Sequence, residues 1–415
     1  MFSLDIFTLN MKSPLFLPFN FFEMNKALIA LAIGGFGIGM TEFVIMGILP
    51  DVATALNISI PQAGHFISAY ALGVVVGAPL LTAIGGKWPA HKVLLLLMLW
   101  FTVFNTLSAF ANSYEMLLAA RFFSGLPHGA FFGIGAVVAG KLAKPGKSAK
   151  AIATMFTGLT LANVLGVPLG TYLGHHYSWS ISFLMVGVIG IMAMLSIKFW
   201  MPELNNSSPD GFKKDLKVLK KLELWMVILL TTVGTGGFFA WYSYIAPLIT
   251  DVAGHDESVV SYAMILAGTG MVVGNLIGAK LAEKFSPIYA VILTLITMVI
   301  LLVANTYLAH DPVFILIMTF LIGMVAFCIS TPIQMAVIKS SKGSEMLGSS
   351  LNQSAFNMGN ASGAYLAGLP IAMGYGFTSA TLVGAAMAGT GVIIAIGVII
   401  IRKRQEQQDA IPAEA

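Results

Sequence analysis

Apolar and polar positions fall along this chain in long blocks rather than in short alternations. Runs of about 19 or more apolar residues occupy 28–49, 65–84, 93–111, 115–140, 152–173, 179–200, 225–249, 261–279, 288–306, 313–338, 347–369 and 378–401. At a helical rise of about 1.5 Å per residue, each is long enough to cross ~30 Å of hydrocarbon. The pattern predicts twelve transmembrane helices and no strands. Each of the last six runs begins 195 to 199 residues after its counterpart among the first six. Such parallel duplication predicts two six-helix halves with a solute site between them near the bilayer midplane.

Composition removes the soluble alternatives, since 57% of the 415 residues are hydrophobic and 10% charged, with a mean hydropathy of +0.88. The distribution of charge adds an orientation. Of the 22 Lys and Arg, 21 fall at the N-terminal end, in the even-numbered connectors or in the tail, and none falls in the opposite connectors. Basic residues are retained on the cytoplasmic side, so both termini are expected there. The net charge of +4 then belongs to a face that meets anionic lipid, and nothing points to nucleic acid. Residues 1–24 read as an N-terminal extension, disordered and dispensable, because Pro14 and Pro18 break its apolar stretches. The expected organisation is a first half over 25–200, a linker over 201–224, a second half over 225–401 and a cytoplasmic tail over 402–415. Phe212, Leu216, Leu219 and Leu222 recur at helical spacing in the linker, which suits a surface helix or equally a solvated connector.

Charged residues inside apolar runs carry the candidate chemistry. Arg121 lies well within the fourth run, where a cation costs about 2.5–3.5 kcal/mol and so faces a polar cavity or snorkels to the interface. His128 is seven residues on, on the same helix face. Glu42 is the one acid deep in any run, at a depth matching that of Arg121, roughly 10–12 Å below the outer surface. The two are expected to pair, either as a proton-coupling unit or as a static lock between helices. Thr41, Asn163, Tyr242, Tyr244, Gln334, Asn352, Gln353, Asn357 and Asn360 are polar candidates for a solute cavity. Gly166, Gly170 and Gly174 form a stripe without Cβ atoms, and Pro168 permits a bend there, for conformational change or for packing alone. Cys328 has no partner, His175-His176 reads as a loop pair without further ligands, and no catalytic or metal motif is found.

Three motifs carry a family resemblance. They are Thr41-Glu42-Phe43 with Gly47-Ile-Leu-Pro50, Ala69-Tyr-Ala-Leu-Gly73 with Gly77-Ala-Pro79, and Arg121 with Gly125-Leu-Pro-His128-Gly129. The chain resembles the major facilitator superfamily over about 25–404, specifically the proton-coupled drug and sugar exporters and most closely the AraJ-like arabinose-efflux permeases. Gly166-Val-Pro168-Leu-Gly170 is similar to that branch's antiporter motif. The resemblance implies proton coupling at Arg121 and Glu42. It also implies a gate latch after the second run, but Gly86-Lys87-Trp-Pro-Ala-His91-Lys92 has no acid, leaving Glu283-Lys284 as the conformational pair in the second half. The expectation is a monomeric, multi-pass inner-membrane transporter that exports a sugar or drug in exchange for protons, with no cofactor and no enzymatic activity. A solute importer, an uncoupled facilitator, and a membrane enzyme or receptor are the alternatives.

Overall fold

A computed structural model describes residues 26–85, 88–144, 148–203, 216–342 and 344–409. Among them there is no strand. The membrane-scale helices are α1 (Lys26–Gly47), α2 (Ile60–Gly85), α3 (Ala90–Ala109), α4 (Tyr114–Leu142), α5 (Ala151–His176), α6 (Trp179–Trp200), α7 (Leu222–Tyr242), α8 (Glu257–Lys284), α9 (Pro287–Leu308), α10 (Pro312–Ser340), α11 (Glu345–Ala372) and α12 (Ser379–Asp409). All but α11 are apolar enough throughout to be recognised as spans by hydropathy. Helix α11 is 28 residues long, so the difference lies in its polar residues Asn352, Gln353, Asn357 and Asn360. Three of those four side chains are buried. Its polarity is therefore directed into the protein, which lets it cross among other helices rather than against lipid.

The packing repeats. Helix α1 lies on α5, α2 on α4 and α3 on α6; in the second half α7 lies on α11, α8 on α10 and α9 on α12. Glycine sets two of these approaches. A Cβ at Gly73 or Gly77 of α2 would collide with the carbonyl oxygens of Phe122 and Leu126, and one at Gly270 or Gly274 of α8 with those of Phe320 and Met324. Close backbone contact of this kind replaces the hydrophobic drive that helices lack in lipid. Leu72, Leu80, Leu195 and Ile393 are among the many large apolar residues left exposed, as a lipid-facing surface requires.

Helix α5 is not regular. A π-helical turn over Ala162–Gly166 precedes Pro168, so the bend expected at the proline is relieved by a widened turn. The glycine stripe faces α1: Cβ atoms at Gly166, Gly170 and Gly174 would press on Phe36, on Val44 and Met40, and on Ile48.

The described residues of the two halves meet at several points. Ser68 of α2 donates to the Ala361 carbonyl of the other half at 2.9 Å, while the Tyr244 hydroxyl, held at 3.0 Å by the Ala364 carbonyl of its own half, reaches Gly64 of α2. Gly368 of the second half abuts that same hydroxyl, and the His65 ring lies 5.9 Å from that of Tyr365, tilted by 34°. Further along, Gly268 of α8 rests on the Asn163 backbone. The contacts of Gly64, His65 and Ser68 lie toward the end of the bundle that holds the turn after α1, whereas Gly268 and Asn163 lie near the middle of their helices.

Two boundaries differ from expectation. Helix α12 continues past Ile401 to Asp409, and Arg402 Nε donates to Glu223 Oε1 of α7 at 2.6 Å, so part of the expected tail is helix tied to the second half. In the linker, residues 201–203 and 216–224 are described: Leu216–Lys220 is a short 3₁₀ turn with Val218 buried, and α7 already begins at Leu222. Residues 1–25, and the start of the expected surface helix over 212–215, lie outside the described residues.

Candidate functional site

Arg121 is fully buried, and its surroundings explain how that is tolerated. Its Nη1 donates to Thr41 Oγ1 at 2.9 Å and its Nη2 to the Thr41 carbonyl at 3.0 Å. The guanidinium lies over the Tyr70 ring at 4.4 Å and the Phe183 ring at 5.4 Å, so two hydrogen bonds and two aromatic faces replace water. Thr41 in turn donates its hydroxyl proton to Asn105 Oδ1. Thr41 is thus an anchor of the arginine rather than a free cavity residue.

The direct Glu42–Arg121 ion pair expected from matched depth is corrected by this geometry. Arg121 binds the residue before Glu42 instead, through the Thr41 hydroxyl and carbonyl. Successive helical residues point about 100° apart, so a guanidinium locked on Thr41 does not also meet the Glu42 carboxylate. The two charges still act on one another through space. Glu42 is 5% exposed, and beside it lies the amide of Asn360, from α11 of the other half.

His128 does share the face of Arg121. Its Nδ1 is 3.1 Å from the Tyr70 hydroxyl, so Tyr70 joins arginine and histidine, while Nε2 has no hydrogen-bond partner. Tyr70, Asn105 and Phe183 were not among the sequence candidates. Asn105 was detectable as an amide within the third apolar run, and Tyr70 within the second motif; Phe183 had no signal, because a phenylalanine in a membrane helix is ordinary.

Around Glu42 the surface is aromatic. Phe43 stacks with Phe239 at 6.4 Å and meets Tyr242 at 6.0 Å, and Phe239 meets Phe356 edge-on at 5.7 Å, joining α1, α7 and α11. Asn163 Oδ1 and Asn357 Oδ1 are buried without partners, and the Asn360 amide has none but the Glu42 carboxylate beside it. Buried amides normally satisfy such atoms, so these are the places where water or a solute is expected to bind. Gln353 lies on the same helix, half-buried, with its carbonyl taken by Asn357 Nδ2 at 3.0 Å.

The remaining candidates separate from this group. Tyr242 donates to Met264 Sδ at 3.2 Å, and the Tyr244 hydroxyl, bonded to Ala364, abuts Gly64 of the other half. Gln334 and Asn352 form a closed network: Asn352 Nδ2 donates to Gln334 Oε1 at 2.8 Å, Thr231 to Asn352 Oδ1 at 2.9 Å and Gln334 Nε2 to Ser349 Oγ at 2.7 Å. The Glu283 side chain lies outside the described residues, and the Lys284 ammonium is 5.7 Å from the Phe285 ring.

Known proteins resolve the family. The Major Facilitator Superfamily profile matches residues 31–364. The chain belongs to the major facilitator superfamily. As a superfamily transporter it is 37% identical to AraJ of Escherichia coli K12 over 93% of its own length and 97% of that protein. It is 40% identical to the inner membrane transport protein YdhP of the same strain, over 90% and 95%. A chloramphenicol resistance protein of Streptomyces lividans is 27% identical over 91% and 95%. The fold is shared with a D-xylose-proton symporter at a TM-score of 0.71 and 14% identity, over 90% of this chain and 96% of that one.

Proposed function

We propose that this transporter exports a small organic solute in exchange for protons by alternating access, from an inner membrane with both termini in the cytoplasm. The observation that carries the reading is the position of Glu42, a membrane-buried acid within reach of the Arg121 charge in its own half and of Asn360 in the other. A carboxylate so placed cannot stay charged at low cost without Arg121, so its proton and the approach of the halves are linked. The unpartnered amides and the surrounding rings of Phe43, Phe239 and Phe356 suit a solute with both polar and apolar surface. Resistance to chloramphenicol, named for one relative, favours export. By the charge distribution, the end that holds His65, Ser68 and Tyr244 is the outer one.

Proteoliposomes with an imposed pH gradient test the reading. Labelled sugars and chloramphenicol are offered as a panel, and at least one should move against its gradient when protons move down theirs. Solute flux indifferent to the pH gradient would remove proton exchange and leave a facilitator.

His128 extends the path from Arg121 through Tyr70. His128→Gln should keep the Tyr70 contact but remove the ionisable ring, shifting the pH dependence of flux with little loss of maximal rate. Tyr70→Phe should reduce coupling several-fold, because it cuts the link between the two. A pH profile unchanged in both variants would assign the pair to packing.

A further inference from the structure

The chain brings together, at the end that holds the turn after α1, three ligand-bearing side chains that are remote in sequence. Asp51 stands in the short helix Leu49–Ala55 that follows α1, His175 in the last turn of α5, and Glu257 in the first turn of α8. One ligand atom from each falls within 4.8 Å of the others. His175 Nδ1 is 2.8 Å from Asp51 Oδ2. The His175 side chain is only 4% exposed, yet its Nε2 has no hydrogen-bond partner. His175 and Glu257 border a polar cleft of about 500 Å³, also lined by His176 and His255, so an ion can enter from solvent.

We propose that Asp51, His175 and Glu257 form a binding site for a divalent first-row transition ion, with zinc the natural probe. The donor set decides the class: one imidazole and two carboxylates suit zinc and its neighbours, whereas calcium and magnesium take oxygen ligands and gain nothing from histidine. Ligand atoms on a tetrahedral zinc lie about 3.3 Å apart for bonds near 2.0 Å, so Asp51 and His175 open slightly around the ion while Glu257, exposed at a helix start, swings in. Water or His255 Nδ1 completes the shell; His255 Nε2 is already 2.8 Å from the Pro312 carbonyl.

The consequence is mechanical. Asp51 and His175 belong to the first six helices and Glu257 to the second six, so the bound ion ties the two together at this end and slows solute movement. That consequence rests on the alternating-access reading above; the site itself does not.

The full chain, purified with a histidine-free tag in detergent, is dialysed against zinc. One ion per chain should bind, a hundredfold excess of magnesium should not displace it, and His175→Asn or Glu257→Gln should each weaken binding at least tenfold. Glu257 is exposed, so its variant tests the proposal even where the buried His175 variant misfolds. Zinc should also raise the melting temperature of the wild type and not of Glu257→Gln. Absent binding, displacement by magnesium, or binding unaltered by Glu257→Gln would overturn the proposal. Zinc held by all three residues without slowing of solute flux would uphold the site and count against the alternating-access reading.

Discussion

Arg121→Ala is expected to abolish proton-driven flux, lowering it about a hundredfold or more while the protein still reaches the membrane. The change removes both hydrogen bonds to Thr41, strips the rings of Tyr70 and Phe183 of their cation, and leaves Glu42 without a compensating charge in a low-dielectric site. Arg121→Lys separates charge from geometry. Lysine keeps the charge, but a single ammonium does not reproduce the planar fork that spans the Thr41 hydroxyl and carbonyl, so partial coupling at about a tenth of the rate is expected. The double variant Glu42→Gln with Arg121→Gln decides the role. Both charges vanish together, so the protein should fold and carry solute down its own gradient with no response to pH. Full pH-driven transport by that variant, measured in proteoliposomes, would reduce the two residues to structural parts.

Replacing Gly170 with leucine should be equally damaging for a different reason. A Cβ there would already stand 2.7 Å from Val44 Cγ2 and 2.8 Å from Met40 Cε, and the longer side chain would wedge α5 away from the very turn of α1 that carries Thr41 and Glu42. Overpacking of a tight core costs about 1–3 kcal/mol or more, and here the displacement falls on the site. Transport should be lost while insertion persists, whereas Gly140→Leu, at a position with open space around its Cβ, should leave flux within twofold. Unchanged efflux by Gly170→Leu would show that the stripe tolerates separation from α1.

Much of the site was legible before any fold was known, because an ion in a membrane span is expensive and therefore conspicuous. Arg121 and Glu42 stand out for that reason, and helical spacing placed His128 on the arginine's face. Depth estimates brought the two charges to the same level, as observed. Rotation about a helix axis is finer than depth, however, and it gave the guanidinium to Thr41 rather than to Glu42. The amides of α11 were found by composition, but which of them close on one another and which remain unpartnered beside Glu42 depends on neighbours far along the chain.

Length and hydropathy decided the architecture, since a backbone surrounded by hydrocarbon must satisfy its own hydrogen bonds and helices are the unit that does so. The repeat of six helices followed from spacing alone. Tertiary structure decided everything that depends on which faces meet: the fork of Arg121 on Thr41 and Tyr70, the contact of Tyr244 with the far half, and the gathering of Asp51, His175 and Glu257. In sequence, His175 and His176 read as a loop pair without other ligands; the fold puts them at a helix end with two carboxylates near the first. Periodicity encodes an element's length and its own faces, but the partner a face meets is set by the packing of all the helices at once, and no local pattern contains that.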